Sequence, residues 1–143
     1  MTPEQIALVQ GSYRALAEPD QADALARVFY ERLFAIDPAV ESLFSTDPAV
    51  QRAKFVDELG AIVWAISNLD RLLERTHDLG ARHVDYGVVS SQYRTVGQAL
   101  LWALAEAQGD RFTPELAEAW TMAYNLVAET MMHGADEAAR RTP

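Results

Sequence analysis

Helix starts recur along this chain, and they constrain its fold more than any other feature of the sequence. A residue that can cap a helix stands directly before a proline at Thr2-Pro3, Asp37-Pro38, Asp47-Pro48 and Thr113-Pro114. The capping side chain accepts hydrogen bonds from the first amides of a helix, and proline is tolerated at the first helical position because the amide there needs no partner. No stretch shows the alternation of apolar and polar residues that is typical of a strand. The sequence therefore predicts an all-α protein.

Apolar side chains recur with helical spacing after these starts. They predict a short turn at 38–44 and six helices, over about residues 3–17, 20–36, 48–67, 70–84, 91–107 and 114–133. The chain has 143 residues and shows no internal repeat and no linker-like segment, so we expect a single domain over residues 1–143.

The composition is that of an ordinary globular chain. Hydrophobic residues make up 50% and charged residues 23% of the sequence. The longest apolar runs, at 61–66 and 99–105, are far shorter than the roughly 20 residues that cross a bilayer. The polar start lacks the basic segment of a signal peptide, and the absence of cysteine excludes disulfides and thiolate metal sites. We therefore expect a cytoplasmic protein without a membrane span.

The net charge of −9 bears on the partners of the chain. Nucleic acids and anionic membrane surfaces require a basic face, which this charge balance does not favour. We expect no nucleic-acid partner.

A histidine ends the apolar stripe of the predicted fourth helix. At steps of four, three and four, this stripe carries Leu72, Thr76, Leu79 and His83. Gly87 is predicted to end the helix. An imidazole beside such a chain reversal can bind a metal inside a pocket, although a hydrogen-bonded core histidine satisfies the same pattern.

A glutamine interrupts a second apolar stripe. Gln51 precedes Phe55 and Leu59 at steps of four, so the three side chains share one face of the predicted third helix. A buried amide needs hydrogen-bond partners because its desolvation is otherwise costly. Gln51 is therefore a candidate donor inside an apolar pocket.

These motifs, in order and spacing, resemble those of the bacterial single-domain globins and of the haem domain of flavohaemoglobins. The resemblance runs from Ile6 to about Glu137 and rests on Phe29-Tyr30, Leu33-Phe34, Pro38, Leu43-Phe44, Gln51, Leu-Gly-x-x-His at 79–83, Tyr86-Gly87-Val88, Tyr93 with Val96-Gly97, and Ala119-Trp120 with Tyr124. It implies a globin fold of about six to eight helices around a haem pocket. Haem b is expected because the chain has no C-x-x-C-H attachment site.

The resemblance also implies roles for individual residues. His83 matches the proximal iron ligand, with Tyr93 and Glu137 around its ring. On the opposite side, Tyr30 and Gln51 match the donors that hold the gas ligand. From the residues alone, Tyr30 can also be a core tyrosine bonded to backbone. Glu137 can equally be a solvated charge near the chain end, where Gly134 could loosen the last helical turn.

Further residues would line the haem. Phe44 matches the phenylalanine that packs on the haem face, and Phe55, Val88 and Val96 are expected as apolar walls. Phe55 is bulkier than the leucine often found there and is expected to narrow the distal cavity. Arg82 can pair with a haem propionate or face solvent.

Two other histidines are not expected to bind the iron. His77 lies six residues before His83, about 120° around the helix, and is predicted to be a surface residue. His133 is predicted near the end of the last helix, where the helix dipole favours a cation. The resemblance therefore implies a five-coordinate iron with one open position.

The leading functional hypothesis is reversible, high-affinity binding of oxygen, and of nitric oxide and carbon monoxide, by ferrous haem. The first alternative is a nitric oxide dioxygenase served by a separate reductase, because the chain has no flavin- or dinucleotide-binding motif. The second is a haem-based gas sensor. The sequence leaves the physiological gas, the electron donor and the oligomeric state open.

Overall fold

Six α-helices make up most of the computed structural model, which describes residues 1–44, 47–85 and 90–141. The helices are α1 (Pro3–Ala15), α2 (Pro19–Ile36), α3 (Pro48–Ala65), α4 (Leu69–Asp85), α5 (Ser90–Gln108) and α6 (Pro114–Arg141). Short 3-10 segments lie at Pro38–Leu43 and Gly109–Arg111. No strand occurs in the described ranges, and the predicted all-α fold class is confirmed. None of the described helices combines the length and the hydropathy needed to cross a membrane.

Local capping explains where the helices begin. The Thr2 hydroxyl accepts from the Gln5 amide at 3.1 Å, and the Gln5 side chain accepts from the Thr2 amide at 2.9 Å. Asp47 accepts from the Ala49 amide at 2.9 Å and so caps α3. Such caps contribute about 1 kcal/mol each. Asp37 makes no side-chain cap bond, and only a 3-10 segment follows it.

The predicted end of the last helix, at 133, is wrong, because α6 continues through Gly134 to Arg141. Gly134 is buried against α4, and a Cβ atom there would overlap the backbone carbonyl of His77. Gly80 on α4 lies in the same way against the backbone of Met131. The missing side chains let the two helix backbones touch, and this contact stabilises the last turns that we expected Gly134 to loosen.

The core lies between two helix pairs, α2 with α5 and α4 with α6. Side chains exposed by 2% or less fill it, including Val9, Leu25, Leu33, Val63, Leu72 and Leu104. Helix α3 contacts both α2 and α4, so it brings the face that carries Gln51 to the neighbourhood of α2. This placement determines which side chains can form a common site.

We predict that Gly134→Ala lowers the free energy of unfolding by about 1–3 kcal/mol, because a methyl group would force the backbones of α4 and α6 apart. Urea unfolding followed by circular dichroism measures the change. The matched control is Gly11→Ala in exposed α1, where nothing lies within 4 Å of the added methyl group. The control should be more stable than wild type by about 0.5–1 kcal/mol. Equal stability of the two variants would contradict the proposed close contact.

Candidate functional site

A hydrogen-bonded pair of polar side chains joins α2 to the first turn of α3. The Gln51 amide donates to the hydroxyl oxygen of Tyr30 at 3.1 Å. Because the amide is the donor, the tyrosine keeps its own hydroxyl proton for another acceptor. Burial raises the pKa of Tyr30 above its ordinary value, and the Gln51 hydrogen bond only partly opposes this. Tyr30 therefore remains a hydrogen-bond donor at neutral pH.

An ion pair beside Gln51 holds the same helical turn in place. Arg52 donates to Asp23 of α2 at 2.8 Å, with side-chain exposures of 25% and 51%. A pair this exposed contributes little stability, about 0.2–1 kcal/mol. It nevertheless restrains the register of α3 on α2, and sequence reasoning did not identify it because the two residues lie far apart in the chain.

Four phenylalanine rings surround the ring of Tyr30. Phe29 lies at 4.9 Å, Phe44 at 5.4 Å, Phe55 at 5.7 Å and Phe34 at 5.8 Å, measured between ring centroids. Phe55 also stacks face to face on Phe29, at 4.3 Å and 9° between the ring planes. The structure thus brings Phe44 and Phe55 together with Tyr30, and the hydroxyl stands in an apolar enclosure. Phe29 and Phe34 were not predicted as pocket walls.

His83 lies in the last turn of α4, and its Nδ1 lies 2.7 Å from the backbone carbonyl of Leu79. A carbonyl only accepts, so Nδ1 carries the proton and donates it. Burial lowers the pKa of His83, although the hydrogen bond to Leu79 opposes this shift, and nearby Arg82 adds to it. The ring is therefore neutral with its lone pair on Nε2, which is the form in which imidazole binds a metal.

Tyr93 on α5 packs beside this histidine. The two ring centroids are 6.5 Å apart and the planes are tilted by 30°. The Tyr93 hydroxyl oxygen is buried and has no hydrogen-bond partner within the described ranges, and burial raises its pKa. The Tyr124 hydroxyl donates to the Tyr93 carbonyl. Gly97 packs directly against the Tyr124 ring, so the backbone of α5 is anchored at this point.

The structure places the Glu137 carboxylate at two other histidines. His77 Nε2 donates to it at 2.7 Å, and His133 Nε2 lies 3.1 Å from its other oxygen. The resemblance implied that Glu137 lies beside the ring of His83. In the structure, the Nδ1 proton of His83 is donated to the backbone carbonyl of Leu79. His77 lies at the surface but is partly covered: its side chain is 33% exposed, and Glu137 of the extended α6 contacts it. Among the described residues, no group of three or more histidine, aspartate or glutamate side chains is arranged to hold a metal ion.

The remaining predicted wall residues lie at different depths. Arg82 is exposed on α4, and Val96 is half-buried on α5 against the core. Val88 and the predicted helix stop at Gly87 lie outside the described residues.

The helical arrangement and the sequence both match known proteins. The chain is 34% identical to a flavohemoprotein of Deinococcus radiodurans and 31% identical to one of Bordetella pertussis, in each case over 92% of this chain and 33% of the relative. It thus spans about a third of the length of these curated relatives. The crystal structure of a hexacoordinated heme protein from an anhydrobiotic tardigrade superposes with a TM-score of 0.84 at 16% identity, covering 95% of this chain and 96% of that one.

A match to a protein-family model decides the family of this chain. The Globin model aligns with residues 27–131, which include Tyr30, Gln51, His83 and most of α6. The predicted globin fold is confirmed by the family match and by the structural superposition together. Since the match covers well over half of the sequence, this chain belongs to the globin family.

Proposed function

We propose that this chain binds haem b at His83 and reversibly binds oxygen with high affinity, together with nitric oxide and carbon monoxide. One observation carries the proposal: Gln51 donates to Tyr30 and thereby leaves the tyrosine proton available inside an apolar enclosure. Haem supplies a ferrous iron with an open position for a diatomic gas. The chain's own residues would hold the cofactor and hold the gas.

The residues on the proximal side fit a haem. His83 is half-buried, neutral and protonated on Nδ1, so Nε2 has the lone pair that an iron ligand needs. Beside it, the Tyr93 hydroxyl is buried without a partner among the described residues. Leaving a buried hydroxyl without a hydrogen bond costs about 1–3 kcal/mol of stability. A polar group of a bound cofactor or its ligand shell would remove that cost.

The distal residues fit the retention of a polar gas. A hydrogen bond to an acceptor that carries charge contributes about 1.5–3 kcal/mol, and oxygen becomes such an acceptor when ferrous iron binds it. Tyr30 supplies this bond, and the second proton of the Gln51 amide can supply another. Phe29, Phe44 and Phe55 pack around the ring of Tyr30 and lower the polarity of its surroundings, which strengthens its bond.

The acceptor behind His83 favours binding over catalysis. Its Nδ1 proton goes to the neutral carbonyl of Leu79. A carboxylate in that position would draw the proton more strongly and make the imidazole a stronger electron donor to the iron. A weaker donor supports reversible binding of the gas rather than its chemical conversion.

The similarity to flavohemoproteins supports one alternative, nitric oxide dioxygenation. Converting one nitric oxide and one oxygen into nitrate consumes one electron, and a separate reductase would have to supply it. We expect only stoichiometric consumption of nitric oxide by the oxygenated protein, even with NAD(P)H and added reductases. An electrode assay measures this, with reductase alone as control, and sustained turnover would favour the enzyme instead.

We predict that His83→Ala abolishes the Soret band of the protein reconstituted with haem, because no other residue is expected to bind the iron. His77→Ala on the same helix is the matched control and should keep the band. An unchanged spectrum in His83→Ala would assign the iron to another ligand.

We also predict that Tyr30→Phe accelerates oxygen dissociation by about ten- to a hundredfold, since each 1.4 kcal/mol corresponds to a factor of ten. The ring packing is nearly preserved in this variant. Gln51→Leu should act in the same direction but more weakly, because its amide is a neutral donor on a flexible side chain. Stopped-flow release of oxygen and carbon monoxide measures both effects, and carbon monoxide should respond much less. Equal rates of oxygen dissociation in wild type and Tyr30→Phe would remove the main support for high-affinity oxygen binding.

A further inference from the structure

Helices α4 and α6 separate at the surface and leave an open cavity between them. Their backbones touch at Gly80 and Gly134. Helices that cross in this way diverge on either side of the contact, and Leu73 lies about 10 Å before Gly80 along α4. The opening has a volume of about 380 Å³ and is lined by Leu73, His77, Glu129, Thr130 and His133.

A second cavity continues the opening along α6. It has a volume of about 270 Å³ and is lined by Met1, Met122, Asn125, Leu126 and Glu129. Glu129 lines both cavities, so together they form one surface groove, which we call the α4–α6 groove. From Met122 to His133 the groove follows about three turns, or about 16 Å, of α6. A helix of similar length can lie along it.

Apolar side chains are exposed in this groove and beside it. Leu73 is 40% exposed and Met122 is 38% exposed. Leu69 lies one turn before Leu73 on α4 and is 57% exposed. Large apolar side chains that are grouped at a surface are typical of sites of protein–protein contact. The groove therefore offers apolar surface that a partner can cover.

The charged part of the groove is acidic. Among the described residues, neither cavity has a lysine or an arginine in its lining, whereas Glu129 belongs to both. The two histidines of the lining lie against Glu137. Over residues 114–139, the sequence of α6 contains five acidic residues and no lysine or arginine. Such a surface attracts a basic partner and repels an acidic one.

We propose that the α4–α6 groove docks an amphipathic helix of a partner protein, with apolar side chains on one face and lysine or arginine beside them. Its apolar face would cover Leu73 and Met122, and a basic side chain would pair with Glu129. Binding of an amphipathic helix in an apolar groove is a common mode of protein recognition. A second copy of this chain fits less well, because its net charge of −9 would bring two acidic surfaces together. The inference goes beyond gas binding and requires no haem.

The test uses a labelled synthetic peptide of leucine and lysine, about 18 residues or five turns long, with leucine on one face of its helix. Fluorescence anisotropy measures its binding to the full chain. One reference peptide has glutamate in place of every lysine, and another has the same composition in a scrambled order. We expect both references to bind at least about tenfold more weakly. Absence of binding, or equal binding of either reference, would overturn the proposal.

Two charge-reversal variants of equal net charge locate the binding site. Glu129→Lys should weaken binding of the leucine–lysine peptide by about tenfold, because repulsion replaces attraction inside the groove. The matched control is Glu31→Lys at an exposed position of α2, a helix that packs on α3 and α5. It should bind within about twofold of wild type. Equal weakening in both variants would mean a general effect of net charge and would overturn the proposal.

Leu73→Asp tests the apolar contact and should weaken binding of the peptide by about tenfold or more. Ile36→Asp on α2 replaces a side chain of similar exposure, 37% against 40%, and should leave binding unchanged. Circular dichroism checks that each variant is folded, and Leu73→Ser makes the same test if Leu73→Asp folds poorly. A wild-type dimer in sedimentation that Leu73→Asp dissociates would assign the groove to a second copy and overturn the proposal.

Discussion

The direct contact between the backbones of α4 and α6 is the constraint on which the position of His83 depends. Gly80 and Gly134 each face a carbonyl of the opposite helix, and any side chain at either position would occupy the same space as that carbonyl. The contact lets α6 run on to Arg141 and carries Glu137 over His77. It therefore determines how α4 lies in the molecule, and His83 projects from the last turn of that helix.

Burial then decides the chemical state of each polar group in the site. In water, a tyrosine is already neutral near pH 7, whereas His83 would be protonated in part. Inside the protein, burial raises the pKa of the tyrosine and lowers the pKa of the histidine. Both shifts have the same physical origin, the cost of a charge away from water. They leave Tyr30 as a neutral donor and His83 as a neutral base.

The sequence predicted those features that arise from neighbouring residues. Caps such as Thr2 and Asp47 act within a single turn, so the helix starts followed from the local pattern. The end of α6 did not follow from the local pattern. Gly134 is a weak helix former by itself, and it is the packing against α4 that holds it in the helix. The stack of Phe55 on Phe29 depends in the same way on how two helices cross, which no spacing in the sequence records.

The two halves of the site differ in how they are built. The acceptor of the His83 proton is the Leu79 carbonyl, four residues earlier in the same helix. Both partners of this hydrogen bond belong to α4, and burial in the folded protein keeps the His83 ring neutral. The distal pair instead joins Gln51 of α3 to Tyr30 of α2, and only the packing of these helices brings it together. The hydrogen bond of His83 is therefore contained in one helix, whereas the bond between Tyr30 and Gln51 depends on the packing of two.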